Sequence, residues 1–137
     1  MTSEWLSAVL KAPVSDFDME PLGEGAGLLG LLARVTPHYG AGSSAGPSSV
    51  IAKFPTPTAE NRVVAETFDM YGRELRFYSQ LAQHTAARTP KVYSAQLNPE
   101  NSDFVLVLED LSHCRAGDQR EGANLEDVKL DGAILCH

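Results

Sequence analysis

Cysteine, basic side chains and long apolar runs are all scarce in this chain of 137 residues. Its two cysteines, Cys114 and Cys136, form neither a CxxC motif nor a disulfide framework, which predicts free thiols in a reducing compartment. The 11 basic and 18 acidic side chains give a net charge of −7, which argues against binding to nucleic acid or to an anionic membrane. The longest apolar run, residues 27–35, contains Arg34 and falls far short of the ~20 residues that a membrane-spanning helix needs.

The remaining composition is that of a globular domain. Hydrophobic residues make up 43% of the chain and charged residues 21%, which excludes disorder of the whole chain. A length of 137 residues corresponds to about one domain with a core of its own. The N-terminus carries no basic stretch followed by an apolar one, so we expect no secretory signal. Together these features predict a cytoplasmic protein.

Apolar patterning predicts two helical stretches and five strands. Residues 2–11 have helical spacing, and a longer helical pattern without proline runs over residues 59–86. The predicted strands are 14–22, 31–36, 50–54, 92–97 and 104–108. The last of them is an unbroken apolar run, so we expect it inside a sheet, covered on both faces.

A glycine cluster between the first two predicted strands contains GxGxxG, at Gly25, Gly27 and Gly30. Alone, this motif fits a glycine-rich turn as well as a phosphate-binding loop. A dinucleotide-binding fold would need a buried strand before the glycines and an acidic residue about 20 positions later. The preceding strand is amphipathic, and that later position lies in a Gly/Ser-rich loop without an acid. A glycine loop that covers nucleotide phosphates between two antiparallel strands fits this context better.

Lys53 places a charge inside the apolar strand at residues 50–54, where it either faces solvent at a sheet edge or contacts a ligand. Glu74 belongs to a helical stripe that should pack inward, where a carboxylate needs a cation. The other members of that stripe are Met70, Phe77 and Leu81, and a second stripe lies beside it, formed by Phe68, Tyr71, Leu75, Tyr78 and Ala82. A pair of Glu74 with Arg73 or Arg76 is disfavoured because residues one or two apart on a helix do not face each other. We therefore expect an ion pair between Lys53 and Glu74.

The order and spacing of these features resemble the N-terminal lobe of the aminoglycoside phosphotransferase and ecdysteroid-kinase-like family, within the protein-kinase-like fold. The stretches that carry the resemblance are 23–35, 50–55, 71–78, 89–93 and 104–111. The resemblance implies an α+β fold, with an antiparallel sheet of about five strands and one long helix packed on it. Residues 1–13 would form an N-terminal helical segment and residues 14–111 the nucleotide-binding lobe. Residues 112–137 would form the loop after the hinge and the start of a truncated, helical C-terminal lobe.

The family transfers the γ-phosphate of ATP to hydroxyl groups of small molecules, and Mg²⁺ accompanies the nucleotide. By this resemblance, the chain's partners would be ATP and a small-molecule acceptor. Gly25 and Gly27 would cover the phosphates, while Lys53 would hold them. Glu74 would orient Lys53. The hinge whose backbone groups meet the adenine would be formed by Glu109, Asp110 and Leu111.

Phosphoryl transfer also requires an aspartate as base, together with an aspartate and an asparagine for Mg²⁺. None of the four histidines begins an HxD or HGD pattern, and no DFG-like motif is present in the sequence. We therefore assign no catalytic or metal-binding residue to this chain, and we expect the truncated chain to be inactive as a kinase. The alternative is a non-catalytic α+β module that binds a partner, or a second copy of itself, through an uncovered face.

Overall fold

Five apolar segments pair into one antiparallel sheet with the strand order β1-β2-β3-β5-β4. The computed structural model describes residues 1–23, 29–40, 46–85 and 88–114. The strands are β1 (Val14–Leu22), β2 (Gly30–Tyr39), β3 (Val50–Pro55), β4 (Val92–Leu97) and β5 (Phe104–Glu109). The helices are α1 (Ser3–Leu10), α2 (Ala59–Thr67) and α3 (Met70–Arg76), and α3 continues into a π-helical turn (Phe77–Leu81) and a 3₁₀ turn (Ala82–His84). The predicted α+β class and the five-stranded antiparallel sheet are confirmed.

Helices cover both faces of the sheet, and β5 contributes to the core on each side. On one face, α1 packs through Leu6 and Leu10 against a cluster that includes Val107. On the other face, α2 and α3 pack against a cluster that includes Leu106. Because successive residues of a strand point to opposite faces, an unbroken apolar strand is what this position requires. The expectation for residues 104–108 is confirmed.

The first helix is capped by Thr2, whose hydroxyl accepts a hydrogen bond from the Trp5 N–H. The helix ends at Lys11, which has a left-handed conformation with φ 55°. None of the helices in the described ranges is long and apolar enough to cross a membrane.

The single long helix predicted over residues 59–86 is not what forms. The chain breaks after α2, where Asp69 has a left-handed conformation with φ 48°, and α3 begins at the next residue. The break has a packing reason. In an uninterrupted helix, the face of Ala65 would continue through Asp69, Gly72 and Arg76, which offer little apolar surface. The break turns a different stripe of α3 toward the sheet.

That stripe is not the one we predicted to face inward. Tyr71, Leu75 and Ala82 are buried, whereas Met70, Phe77 and Leu81 are exposed. The prediction that the stripe of Met70, Glu74, Phe77 and Leu81 packs inward is therefore wrong. The correct stripe lies one residue further along the helix, about 100° around its axis. This places Glu74 at the border between the buried and the exposed sides of α3.

The predicted free thiol at Cys114 is also wrong, because this cysteine is disulfide-bonded in the structure. The cysteines therefore do not indicate a reducing compartment.

Candidate functional site

Lys53 and Glu74 form the ion pair that the sequence predicts. The Lys53 Nζ donates to both carboxylate oxygens of Glu74, at 2.7 Å to Oε1 and 2.7 Å to Oε2. The Lys53 side chain is 26% exposed and that of Glu74 is 31% exposed, so solvent reaches both groups. An ammonium group has three N–H donors, and Glu74 takes two of them. Among the described residues no other acceptor takes the third donor, so it can serve an anion that approaches from the solvent side.

Strand alternation and the anchoring of α3 bring the two side chains together. Lys53 pairs with Leu32 of β2 and Leu106 of β5 in the sheet register, so it lies on the face that α3 covers. The Tyr71 hydroxyl accepts a hydrogen bond from the Thr56 N–H at 3.2 Å, just beyond the end of β3. Because Glu74 follows Tyr71 by three residues, it lies on the same side of the helix and points back toward β3.

The Tyr71 ring adds a second anchor for α3. It packs on Phe104 of β5 with 4.7 Å between the ring centroids. Both side chains are buried. The position of Glu74 is therefore fixed by the contacts of Tyr71 with Thr56 and with β5.

An apolar patch adjoins Lys53 on the same face of the sheet. We call it the sheet-face patch, and its members are Leu22, Leu32, Ile51 and Leu108. The register pairs Leu22 with Leu32 and Ile51 with Leu108, which places all four on the face of Lys53. Leu32 is exposed and the other three are half-buried. Such a surface suits a flat, largely apolar ring system.

Gly30, the third glycine of the GxGxxG motif, lies against Lys53. A Cβ atom at Gly30 would come within 3.1 Å of the Lys53 Cε and 2.9 Å of the Phe54 carbonyl oxygen. The absence of a side chain therefore leaves room for the Lys53 side chain to reach Glu74. Gly25 and Gly27, which we predicted to cover phosphates, lie outside the described residues.

Replacing Gly30 with alanine should displace the Lys53 side chain. The Phe54 carbonyl belongs to the backbone and cannot easily move, so strand β2 must also shift, and we expect a loss of about 1–3 kcal/mol in the free energy of unfolding. Gly40→Ala is the matched control, since a Cβ there meets nothing within 4 Å. Urea denaturation checks both variants. Equal stability of Gly30→Ala and Gly40→Ala would contradict the tight contact.

The segment after β5 is held to the rest of the sheet by several hydrogen bonds. The Glu109 N–H donates to the Lys91 carbonyl at 2.8 Å, and the Glu109 carboxylate accepts from the Lys91 N–H at 3.0 Å. The Leu111 carbonyl accepts from the Cys114 N–H at 2.8 Å. The Leu111 N–H donates to no residue in the part of the chain that the structure describes. This donor lies at the predicted hinge.

The Asp110 side chain faces the protein rather than solvent, and only 5% of it is exposed. Burial by itself would raise the pKa of Asp110, but hydrogen bonds from the Ser49 hydroxyl, the Ser112 N–H and Arg34 favour the charged form and outweigh it. The result is a pKa lowered from 3.8 to about 2. Asp110 is therefore a charged structural anchor at neutral pH.

This lowered pKa predicts a loss of stability in acid. A carboxyl group whose pKa is depressed in the folded state stabilises the protein above its unfolded pKa of 3.8, and the contribution disappears as the pH falls toward about 2. The expected size is about 2 kcal/mol. The stability difference between wild type and Asp110→Asn, measured by urea denaturation, should shrink over this range. A difference that stays constant from neutral pH to pH values below 3.8 would contradict this assignment.

The sequence did not reveal Arg34 and Ser49 as residues of this site, because nothing local marks them as partners of Asp110. It gave Gly30 only as part of a weak motif and Tyr71 only as a member of a helical stripe. The described residues hold no group of three or more His, Cys, Asp or Glu side chains placed to bind a metal ion.

Comparison with protein-family models, curated proteins and solved structures gives no match for this chain. The family resemblance of the sequence therefore stays a prediction, and the geometry described above is what supports a function.

Proposed function

We propose that this chain is the ATP-binding lobe of a small-molecule kinase, and that it binds the nucleotide on the sheet face that carries Lys53. The observation that carries the proposal is the ion pair of Lys53 with both oxygens of Glu74, which lies beside an open apolar patch and leaves the third Lys53 donor without an acceptor among the described residues. In a kinase, the lysine of the third strand holds the α- and β-phosphates and pairs with a glutamate of the following helix.

A purely structural role explains this pair less well. A partly exposed ion pair contributes only about 0–1 kcal/mol to stability. Lys53 nevertheless lies on an interior strand, between β2 and β5. An apolar side chain there would pack without the cost of removing a charge from water. A lysine oriented by a carboxylate commonly binds phosphate, because its ammonium group is a small, concentrated positive charge.

The sheet-face patch provides an apolar surface on which the nucleotide base would lie. Leu32 pairs directly with Lys53 in the sheet register, and Ile51 lies two residues before Lys53 on the same strand. Two residues along a strand span about 7 Å, so a ligand with an aromatic ring on the patch would bring its phosphates to Lys53. The Leu111 N–H, which donates to no residue within the described ranges, supports a hydrogen bond to the edge of that ring.

The proposal for this chain extends to nucleotide binding and not to phosphoryl transfer. The sequence contains no HxD or HGD pattern to supply the base, and transfer further requires ligands for Mg²⁺. Mg²⁺ would arrive bound to the nucleotide. A small-molecule acceptor would need residues other than those that this site provides.

Isothermal titration of the 137-residue chain with Mg·ATP tests the proposal. We expect saturable binding of one nucleotide per chain, and we expect ADP to compete for the same site. The absence of binding at millimolar nucleotide would contradict it. If the chain instead self-associates as its concentration rises and does not bind nucleotide, the interaction module is favoured. Its surface would then be formed by the exposed side chains of Val63, Phe68 and Leu81.

A further inference from the structure

Three distant segments of the chain meet at the Asp110 carboxylate. The Arg34 Nε of strand β2 donates to Oδ2 at 2.9 Å, and the Ser49 hydroxyl, just before β3, donates to the same oxygen at 2.7 Å. The Ser112 N–H donates to Oδ1 at 2.9 Å and closes a turn after β5. We call these four residues the Asp110 latch. These hydrogen bonds fix the orientation of the backbone where it leaves β5.

Arg34 reaches the latch across the face on which nucleotide binding is proposed. In the sheet register Arg34 pairs with Ile51, and Leu32 pairs with Lys53, so Arg34 and Lys53 lie on the same face. The guanidinium therefore borders the sheet-face patch at the end opposite Lys53. Its only other acidic contact within the described residues is Glu20, at 3.9 Å, whose side chain is mostly exposed.

The latch determines where the backbone groups of residues 109–111 point. Glu109 is tied to Lys91 on the side of β4, and Asp110 is tied to Arg34 and Ser49 on the side of β2 and β3. The Leu111 N–H lies between this anchor and the Ser112 turn. A hydrogen bond to a flat ring depends on direction, so a small rotation of this segment would weaken it.

We propose that Arg34 and Ser49 are positioning residues for recognition of the nucleotide base, acting through Asp110 on the backbone of residues 109–111. This inference rests on the proposed function. It distinguishes two ends of one site: Lys53 serves the phosphates, and the Asp110 latch serves the base. Substitutions at the two ends should therefore affect different parts of the ligand.

The test compares Mg·ATP with inorganic tripolyphosphate, which has the phosphates but no base, in the 137-residue chain. Both affinities come from displacement of a fluorescent ATP analogue. Arg34→Gln should weaken ATP about tenfold and leave tripolyphosphate within about twofold, because a hydrogen bond that involves a well-placed group is worth about 1–2 kcal/mol. Ser49→Ala should show the same pattern to a smaller extent, and Arg34→Lys should recover part of the loss.

Glu20→Gln is the matched control, since it removes the other acidic contact of Arg34 and leaves the latch intact. It should change neither affinity. Equal losses for ATP and tripolyphosphate in Arg34→Gln and Ser49→Ala, or no loss in either variant, would overturn the positioning role. Failure of the wild type to bind ATP would instead overturn the proposed function, and the positioning role with it.

Discussion

Replacing Lys53 with alanine should weaken the binding of Mg·ATP by about tenfold to a hundredfold. Hydrogen bonds to charged groups are worth about 1.5–3 kcal/mol, and this variant removes those that Lys53 would make to the phosphates. The fold should change little in stability, since the Lys53–Glu74 pair is partly exposed and such pairs contribute about 0–1 kcal/mol. Isothermal titration with Mg·ATP, combined with urea denaturation, separates the two effects.

Lys11→Asn is the matched control for charge. Lys11 is exposed at the end of α1, which packs on the opposite face of the sheet from Lys53, and its left-handed conformation (φ 55°) tolerates asparagine. Its removal lowers the net charge by the same amount and should leave nucleotide binding unchanged. If the two lysine variants bind Mg·ATP equally, Lys53 does not hold the phosphates.

Glu74→Gln provides the complementary measurement at the other half of the pair. It removes the carboxylate that orients Lys53 while keeping the lysine and its charge, so we expect weaker binding than in wild type but stronger binding than in Lys53→Ala. Glu66→Gln on α2 is its control, because Glu66 pairs with Arg62 at the helix surface. An unchanged affinity in Glu74→Gln would show that Lys53 needs no orienting partner.

Leu106→Ala should lower the free energy of unfolding by about 2–5 kcal/mol, the largest stability loss that we expect from a single change in this chain. Leu106 is fully buried on β5, within the cluster formed by Ala65, Tyr71, Leu75 and Phe104. Shortening it leaves a cavity under α3 in addition to the lost burial of apolar surface. Urea denaturation measures the change.

The control for this prediction lies on the partner strand. Leu97 of β4 pairs with Phe104 and is 42% exposed, so Leu97→Ala should cost less than about 1 kcal/mol. A loss in Leu106→Ala no larger than that in Leu97→Ala would show that α3 does not seal this face of the sheet.

The strands could be predicted because their signal is local. Apolar alternation and bounding Pro, Gly and Asn residues place β1 and β4 with the bounds observed, and the other three strands extend by one to a few residues beyond their predictions. The Lys53–Glu74 pair was also predictable. A charge inside an apolar strand and a carboxylate on an otherwise apolar stripe each call for a partner.

The long-range parts of the site could not be predicted. Arg34 and Asp110 are 76 positions apart, and their contact depends on strand order and register, which local patterning does not specify. The break at Asp69 could not be predicted, because it depends on which stripe of α3 packs against the sheet. That choice shifts the buried stripe by one residue and leaves Met70 and Phe77 exposed.

The central claim is that a nucleotide binds on the sheet face between Lys53 and the segment after β5. The most direct test is a two-dimensional NMR titration of the isotope-labelled chain with Mg·ATP. We predict that the largest shifts fall on Lys53, Leu32 and Ile51 and on the backbone N–H groups of residues 108–111, with α1 unchanged. Shifts concentrated on α1 or on the exposed side of α2, or no shifts at saturating nucleotide, would contradict the claim.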